Sequence, residues 1–386
     1  MAYLDHNATS PLRLEARAAI ERALAVSANP SSVHASGRAS RALVEEARAD
    51  VASLVGARAQ DVVFTGSGTE ANVLALSGAI HGAAEAGQRI TRLFVSAIEH
   101  DSVLATASAL AERNAGLRLE QISVGRDGVV QVEELRRNLR EGKGRALIAV
   151  MAANNETGAV QPLEQISALA RESEALVHVD AIQMCGRSGI DFAGSGFHYM
   201  SLSAHKIGGP QGVGALVARE YAPLAPQMFG GAQERGHRAG TENVAGIAGF
   251  GAAARVLRNK GAEEAVRVTG LRDRFEAALK GVADSAVIFA LDAARLGNTS
   301  NFCIPGIAAE TALMALDLDG VMVSSGSACS SGRVRPSHVL SAMGVPEDIA
   351  RGALRISLGW NSTDADVDGA ISSLSNLRAR VLARAA

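Results

Sequence analysis

Cysteine is scarce in this chain: Cys185, Cys303 and Cys329 are the three among 386 residues. Their spacing matches neither a disulfide framework nor a zinc or cluster site, which argues against a metal- or sulfur-carrying scaffold. Long runs of one charge are missing too. The 38 Lys and Arg nearly balance the 40 Asp and Glu, for a formal net charge of −2. That is not the footprint of a nucleic-acid or membrane-surface binder, and the basic spot QERGHR (233–238) reads as loop charge. No apolar stretch approaches the roughly 18–20 residues of a membrane-spanning helix. The opening MAYLDHNATSPL carries an early acid and a proline, with no apolar signal core. Sparse, odd-numbered cysteines without an export signal lead us to expect a cytosolic protein.

What is present is a large apolar fraction, 47%, with 20% charged residues. That suffices for a sizeable core, and the length favours two domains. Short apolar runs alternate with amphipathic helical patterns. A first helix is expected over SPLRLEARAAIERAL, with Ser10 as its cap and Pro11 in the first helical position. A second covers RASRALVEEARADVASLVG, with Leu43, Ala47, Val51 and Leu54 on one face and Gly56 ending it. The runs DVVFT, RLFVS, ALIAV, ALVHVD, FHYMSLS and VGALVA are continuous rather than alternating. Such strands are covered on both faces, which points to a mostly parallel α/β sheet. After a helix near 241–257 the chain turns polar at RNKGAEE (258–264), where we place a boundary. Beyond it SAVIFA, TSNFCI and ALRISL mix with helices, so a smaller α+β domain is expected.

Ligands of open α/β sheets sit at the carboxyl ends of the strands. Here those ends lead into GSGTE, AIEH, MAANNETG, Asp180 and Ala204-His205-Lys206. Gly66 and Gly68 open a helix whose free N–H groups suit a phosphate. The loose match to a dinucleotide fingerprint fails at the next strand tip. Ser96 stands where the ribose-binding acid belongs, which argues against a nicotinamide dehydrogenase. Asp180 is placed to pair with a heterocyclic cation. Pyridoxal phosphate needs such an acid for its ring nitrogen, a phosphate cup, and a lysine for a Schiff base. Lys206, among Gly, Pro and apolar residues, has its ammonium form disfavoured and so is a better nucleophile. Ser203 and His205 flank it as phosphate donors. His100 could stack on a pyridine ring and exchange protons, or serve structurally. His178 is read as packed against the sheet, and Cys185 and Cys303 as small buried hydrophobes. Cys329 differs: SSGSACSSGRVRPSH surrounds it with small residues and with Arg333 and Arg335, a setting that favours a reactive thiolate. Arg355, inside an apolar strand, needs a carboxylate, either internal or from a substrate.

Taken together, YLDHNAT, NPSSVH, GSGTEAN, EH (99–100), NNETG, HVDAIQ, SLSAHKIGGPQGVGAL, RAGTEN, SSGSACSS and LRISLG resemble the cysteine desulfurases of the NifS/IscS type, in the class V aminotransferase group of pyridoxal phosphate enzymes. The resemblance runs nearly end to end. It implies the fold-type I architecture: a large domain (12–257) with a mostly parallel seven-stranded sheet covered by helices, and a smaller α+β domain (1–11 and 258–386) carrying the cysteine loop. It implies Lys206 as the Schiff-base lysine and later proton carrier, with His100 stacked on the ring. Asp180 would pair with the ring nitrogen and Gln183 with the ring hydroxyl. Gly68, Thr69, Ser203 and His205 would bind the phosphate, joined by Thr241 from the partner subunit of a homodimer. Asn155 and Arg355 would hold the carboxylate of L-cysteine. Cys329 would take the sulfur as a persulfide, leaving alanine, and pass it to an acceptor or iron–sulfur scaffold protein. The chain departs from many relatives at Ala204, at Asp101-Ser102 and in its basic SSGRVRPS. A selenocysteine lyase, or another class V enzyme acting on a different amino acid, is the near alternative.

Overall fold

The computed structural model describes residues 1–26, 28–325 and 337–385. Cys329 lies outside them.

The continuous apolar runs become strands buried on both faces. Val62–Thr65 (β2), Ile90–Ser96 (β3), Arg118–Ile122 (β4), Arg145–Met151 (β5), Leu176–Asp180 (β6), Tyr199–Ser203 (β7) and Gly214–Ala218 (β8) form one sheet, in the order β2-β8-β7-β6-β5-β3-β4. All neighbours are parallel except β8, which runs against both β7 and β2. Within β5, Ile148 and Val150 join one buried cluster and Leu147 and Ala149 the other. Two helical layers therefore cover the sheet, and each strand must be apolar at every position. β4 breaks that rule. Its residues are largely exposed and polar, which an edge strand tolerates and which hides it from a search for apolar runs.

The first helix starts later than its sequence signals suggest, at Leu14 rather than Pro11. The N–H groups of Ser10 and Arg13 donate to the carbonyls of His205 and Gly208, so tertiary contacts take the groups that would open a helix. Ser10 Oγ bonds His6 Nδ1 at 3.0 Å instead of capping. The second helix, Ala35–Leu54, is capped by His34, and Gly56 follows it at φ +63°.

A four-stranded antiparallel sheet forms from Val287–Ile288 (β9), Thr299–Cys303 (β10), Ser324–Ser325 (β12) and Leu354–Ser357 (β13). Beside it the short strands Ala2–Tyr3 (β1) and Val321–Met322 (β11) pair in parallel. One 39-residue helix, Val244–Val282, serves both sheets. Ile247, Phe250 and Leu257 pack into the large core, and Val268, Leu271, Phe275 and Leu279 into the second. The polar RNKGAEE, the place of the expected boundary, lies inside that helix and is mostly exposed, a solvated stretch between the halves that pack on the two cores.

Candidate active site

Because β8 runs against both its neighbours, β2 points the same way as β7. The carboxyl ends of β2, β7, β6, β5 and β3 therefore share one edge of the sheet, and a cavity of about 520 Å³ opens there. Gly68, Thr69, His100, Asn155, Asp180 and Gln183 line it. Ser203, His205, Lys206 and Arg355 line it too, so that of the expected site residues only Thr241, and Cys329 outside the described residues, are not among its lining.

At one end lies the N-terminus of the helix Gly68–Glu85, capped by Ser67. A Cβ on Gly68 would lie 2.4 Å from Ile182 Cδ1 and 3.1 Å from Ser203 Cβ, so a side chain there would collide with the cavity wall. Gly214 is tighter still. Its added Cβ would sit 2.5 Å from the Ser67 carbonyl carbon and 2.8 Å from Gly68 N. His205 Nδ1 lies 3.0 Å from Thr9 Oγ1. Burial, with the charges of Lys206 and Arg187, pulls its pKa down to about 4, so the ring is neutral at pH 7.

In the middle, Asp180 accepts from Asn72 Nδ2 at 2.8 Å and from Ile182 N at 3.0 Å. Burial raises its pKa, while those two bonds and the charges of His100 and Lys206 act in the opposite direction. His100 caps the helix Asp101–Arg113. Its Nδ1 accepts from Ser102 N at 3.1 Å, which leaves Nε2 to carry the proton of the neutral ring. Lys206 Nζ donates to the carbonyls of Asn7 (2.6 Å) and Ala8 (2.8 Å). Its pKa falls to about 7, first through burial, then through Arg187 and Arg355, with Asp5 and Asp180 opposing. His178 is fully buried against Ser201 Oγ at 2.9 Å, in its expected structural place. Cys185 and Cys303 are buried, with thiol pKa values pushed up to about 12 and about 11, so neither offers a ready thiolate.

At the far end Arg355 bonds Asp5 Oδ1 at 2.7 Å and the Asn155 carbonyl at 3.0 Å. Its Nε is buried without an acceptor, so donor capacity remains for an incoming carboxylate. Thr241 is not in this cavity. It lines a separate pocket of about 150 Å³ with Arg238 and Glu242. Glu242 there is buried with neither carboxylate oxygen hydrogen-bonded.

Several participants escaped the sequence reading. The segment from Asp5 to Thr9 forms one wall, acting largely through backbone carbonyls that no residue type announces. Asn72 sits one helical turn beyond Gly68 and presents as an ordinary helix residue. Glu156 lines the cavity and accepts from Ser337 Oγ. A polar DHNAT directly after a short strand was the available signal for the wall.

Known proteins match this arrangement along nearly the whole chain. The family model for Aminotransferase class-V covers residues 2–369. An IscS-like cysteine desulfurase from Mycobacterium tuberculosis is 41% identical, over 98% of this chain and 97% of its own length. A cysteine desulfurase IscS from Dictyoglomus turgidum is 38% identical, over 97% and 94% respectively. The solved structure of a NifS-like protein from Rickettsia africae superposes with a TM-score of 0.89 at 33% identity, covering 98% of this chain and 99% of that one. The chain belongs to the aminotransferase class-V family, among its NifS/IscS-type cysteine desulfurases.

Proposed function

We propose that this protein is a pyridoxal-phosphate-dependent desulfurase that converts L-cysteine to L-alanine and retains the sulfur as a persulfide on Cys329. The observation that carries the reading is the Lys206 amine. It lies just past a strand tip, donates to the Asn7 and Ala8 carbonyls, shares the cavity with Asp180 and the start of the helix Gly68–Glu85, and has a pKa lowered to about 7.

The residues fit the cofactor. The closed approach at Gly68 leaves helix N–H groups open to a phosphate, with Thr69, Ser203 and His205 beside them. Asp180 offers an acceptor for a ring N–H, Gln183 a donor for the ring hydroxyl, and His100 a flat partner for the ring face. Bound pyridoxal phosphate supplies an electron sink that weakens the carbon–sulfur bond of an attached amino acid. Lys206, its ammonium form disfavoured by burial, offers a lone pair to the aldehyde and afterwards carries a proton. Arg355 and Asn155 would orient the substrate carboxylate. The Cys329 thiolate accepts the sulfur: the carbon–sulfur bond breaks, a sulfur–sulfur bond forms, and alanine leaves. No external oxidant or reductant is needed.

Further parts of the reading rest on the resemblance. The enzyme acts as a homodimer, with Thr241 of the partner subunit on the phosphate, and Cys329 hands its sulfur to an acceptor protein, including one that assembles iron–sulfur clusters. The IscS names of the relatives support the last point. A cytoplasmic site fits the absence of any membrane-crossing helix among the described residues.

The test is product analysis after incubation with L-cysteine. Wild type should be yellow and release alanine; Cys329→Ser should keep its colour and form no persulfide. Persulfide formation by the Ser variant, or a colourless wild type grown with the vitamin, would overturn the reading.

A further inference from the structure

Arg187 lies in the turns that follow β6 and lines a separate small pocket that shares Lys206 with the cavity, with no carboxylate partner among the described residues. Its donors go elsewhere. Nη1 donates to the carbonyl of Gln183 at 3.1 Å and to the side-chain oxygen of the same residue. Nη2 donates to the carbonyls of His6 (3.1 Å) and Lys206 (3.4 Å). One guanidinium thus ties together Gln183, the N-terminal wall and the backbone of the lysine.

The bond to Gln183 Oε1 has a chemical consequence. A carboxamide has one accepting end and one donating end. Arg187 can only donate, so it takes the oxygen and turns the nitrogen the other way. Gln183 Nε2 donates to the Asn7 carbonyl at 3.0 Å, and Gln183 and Asn7 both line the cavity.

We propose that Arg187 is a positioning residue that locks the Gln183 carboxamide with its nitrogen toward the cavity, making Gln183 solely a hydrogen-bond donor to the ring oxygen of the cofactor. The inference rests on the reading of this cavity as a pyridoxal phosphate site. A group that can only donate favours a ring oxygen in its deprotonated, accepting form, and an uncompensated cation behind it favours the same form. The cation also acts on Lys206. Its amine faces Arg187 and Arg355 as cations and Asp5 and Asp180 as anions, and it neighbours the neutral His205. Burial draws the pKa of Arg187 itself down to about 10, so it stays charged at neutral pH.

The experiment uses the apoenzyme and two ligands, pyridoxal phosphate and its 3-deoxy analogue, which lacks only the ring hydroxyl. Affinities are measured for wild type, Arg187→Met and Arg187→Lys. Wild type should prefer the hydroxylated ligand at least tenfold. That preference should fall below threefold in Arg187→Met and to an intermediate value in Arg187→Lys. In a Gln183→Leu background, Arg187→Lys should leave the ratio unchanged. The amine of Lys206, titrated in the apoenzyme by pH-dependent acylation, should move upward in Arg187→Met. Should that variant not fold, the Lys variant and the Gln183→Leu pair decide alone. An equal loss of affinity for both ligands overturns the proposal, because a merely structural arginine would weaken them alike. A wild type that binds neither ligand sinks the cofactor reading itself, and shows before any substitution is made.

Discussion

Lys206 illustrates how a residue acquires chemistry from its surroundings. A lysine in water titrates near 10.5, and here burial brings it to about 7. The apoenzyme should therefore react with pyridoxal phosphate at a rate that climbs through pH 7 and levels off above it; a rate still rising toward pH 10 would show a solvated amine. Between about 7 and 10.5 the unfolded chain binds more protons at this site than the folded one, so its contribution to stability rises with pH across that window. Glu156 behaves in the opposite sense. Burial raises its pKa from 4.5 to about 7, against the hydrogen bond from Ser337 and the charge of Arg355. The folded state holds the extra proton between those values, so stability falls as pH rises through the window. Glu156→Gln can still accept from Ser337. It should be more resistant to urea than wild type at pH 8, by on the order of 3 kcal/mol, and no different at pH 4. Equal denaturation midpoints at pH 8 would show that Glu156 stays ionised at little cost.

At the scale of elements, the phosphate end depends on how closely β8 passes the turn before the helix Gly68–Glu85. Backbone meets backbone at Gly214, and no side-chain rotation can relieve an added methyl there. Gly214→Ala should shift the Ser67-Gly68 turn and lower affinity for pyridoxal phosphate at least tenfold, measured by equilibrium titration of the apoenzyme. An unchanged affinity would mean that the helix N-terminus does not bind the phosphate. The elements themselves were legible to different degrees. β2, β3, β5, β6, β7 and β8 declare themselves because burial on both faces demands uninterrupted apolar runs. β4 does not, because an edge strand faces water. The first helix starts later than its sequence signals suggest, because Ser10 and Arg13 spend their N–H groups on the turn after β7. The helix Val244–Val282 outruns its expected end because each half rests on a different core, which lets a polar turn persist between them.

Over the whole molecule, one chain's cavity omits Thr241, which lies in its own pocket near the buried carboxylate of Glu242, itself 3.6 Å from the Arg41 guanidinium. If the sites are completed across a dimer, Thr241→Ala should weaken cofactor retention severalfold in equilibrium dialysis, while sedimentation shows a dimer. A monomer that keeps the cofactor as tightly as wild type would refute the shared site. We also propose that the division of the chain falls within the long helix, near the expected 257/258, with residues 1–11 grouped with the C-terminal part; β1 pairs with β11 in that part. What the sequence by itself determined was the set of strand tips, because an apolar run ending in Asp180 or Ser203-Ala204-His205-Lys206 is a local pattern. It also determined which residue types could serve a phosphate, a ring nitrogen and an aldehyde. The tertiary structure alone decided how they are arranged. Asp5 meets Arg355 through its carboxylate, and Asn7 and Ala8 meet Lys206 through carbonyls identical in every residue, across about two hundred positions or more. Such contacts carry no mark in composition or spacing. They exist because folding brings the N-terminal segment across the sheet edge, where buried donors must find acceptors.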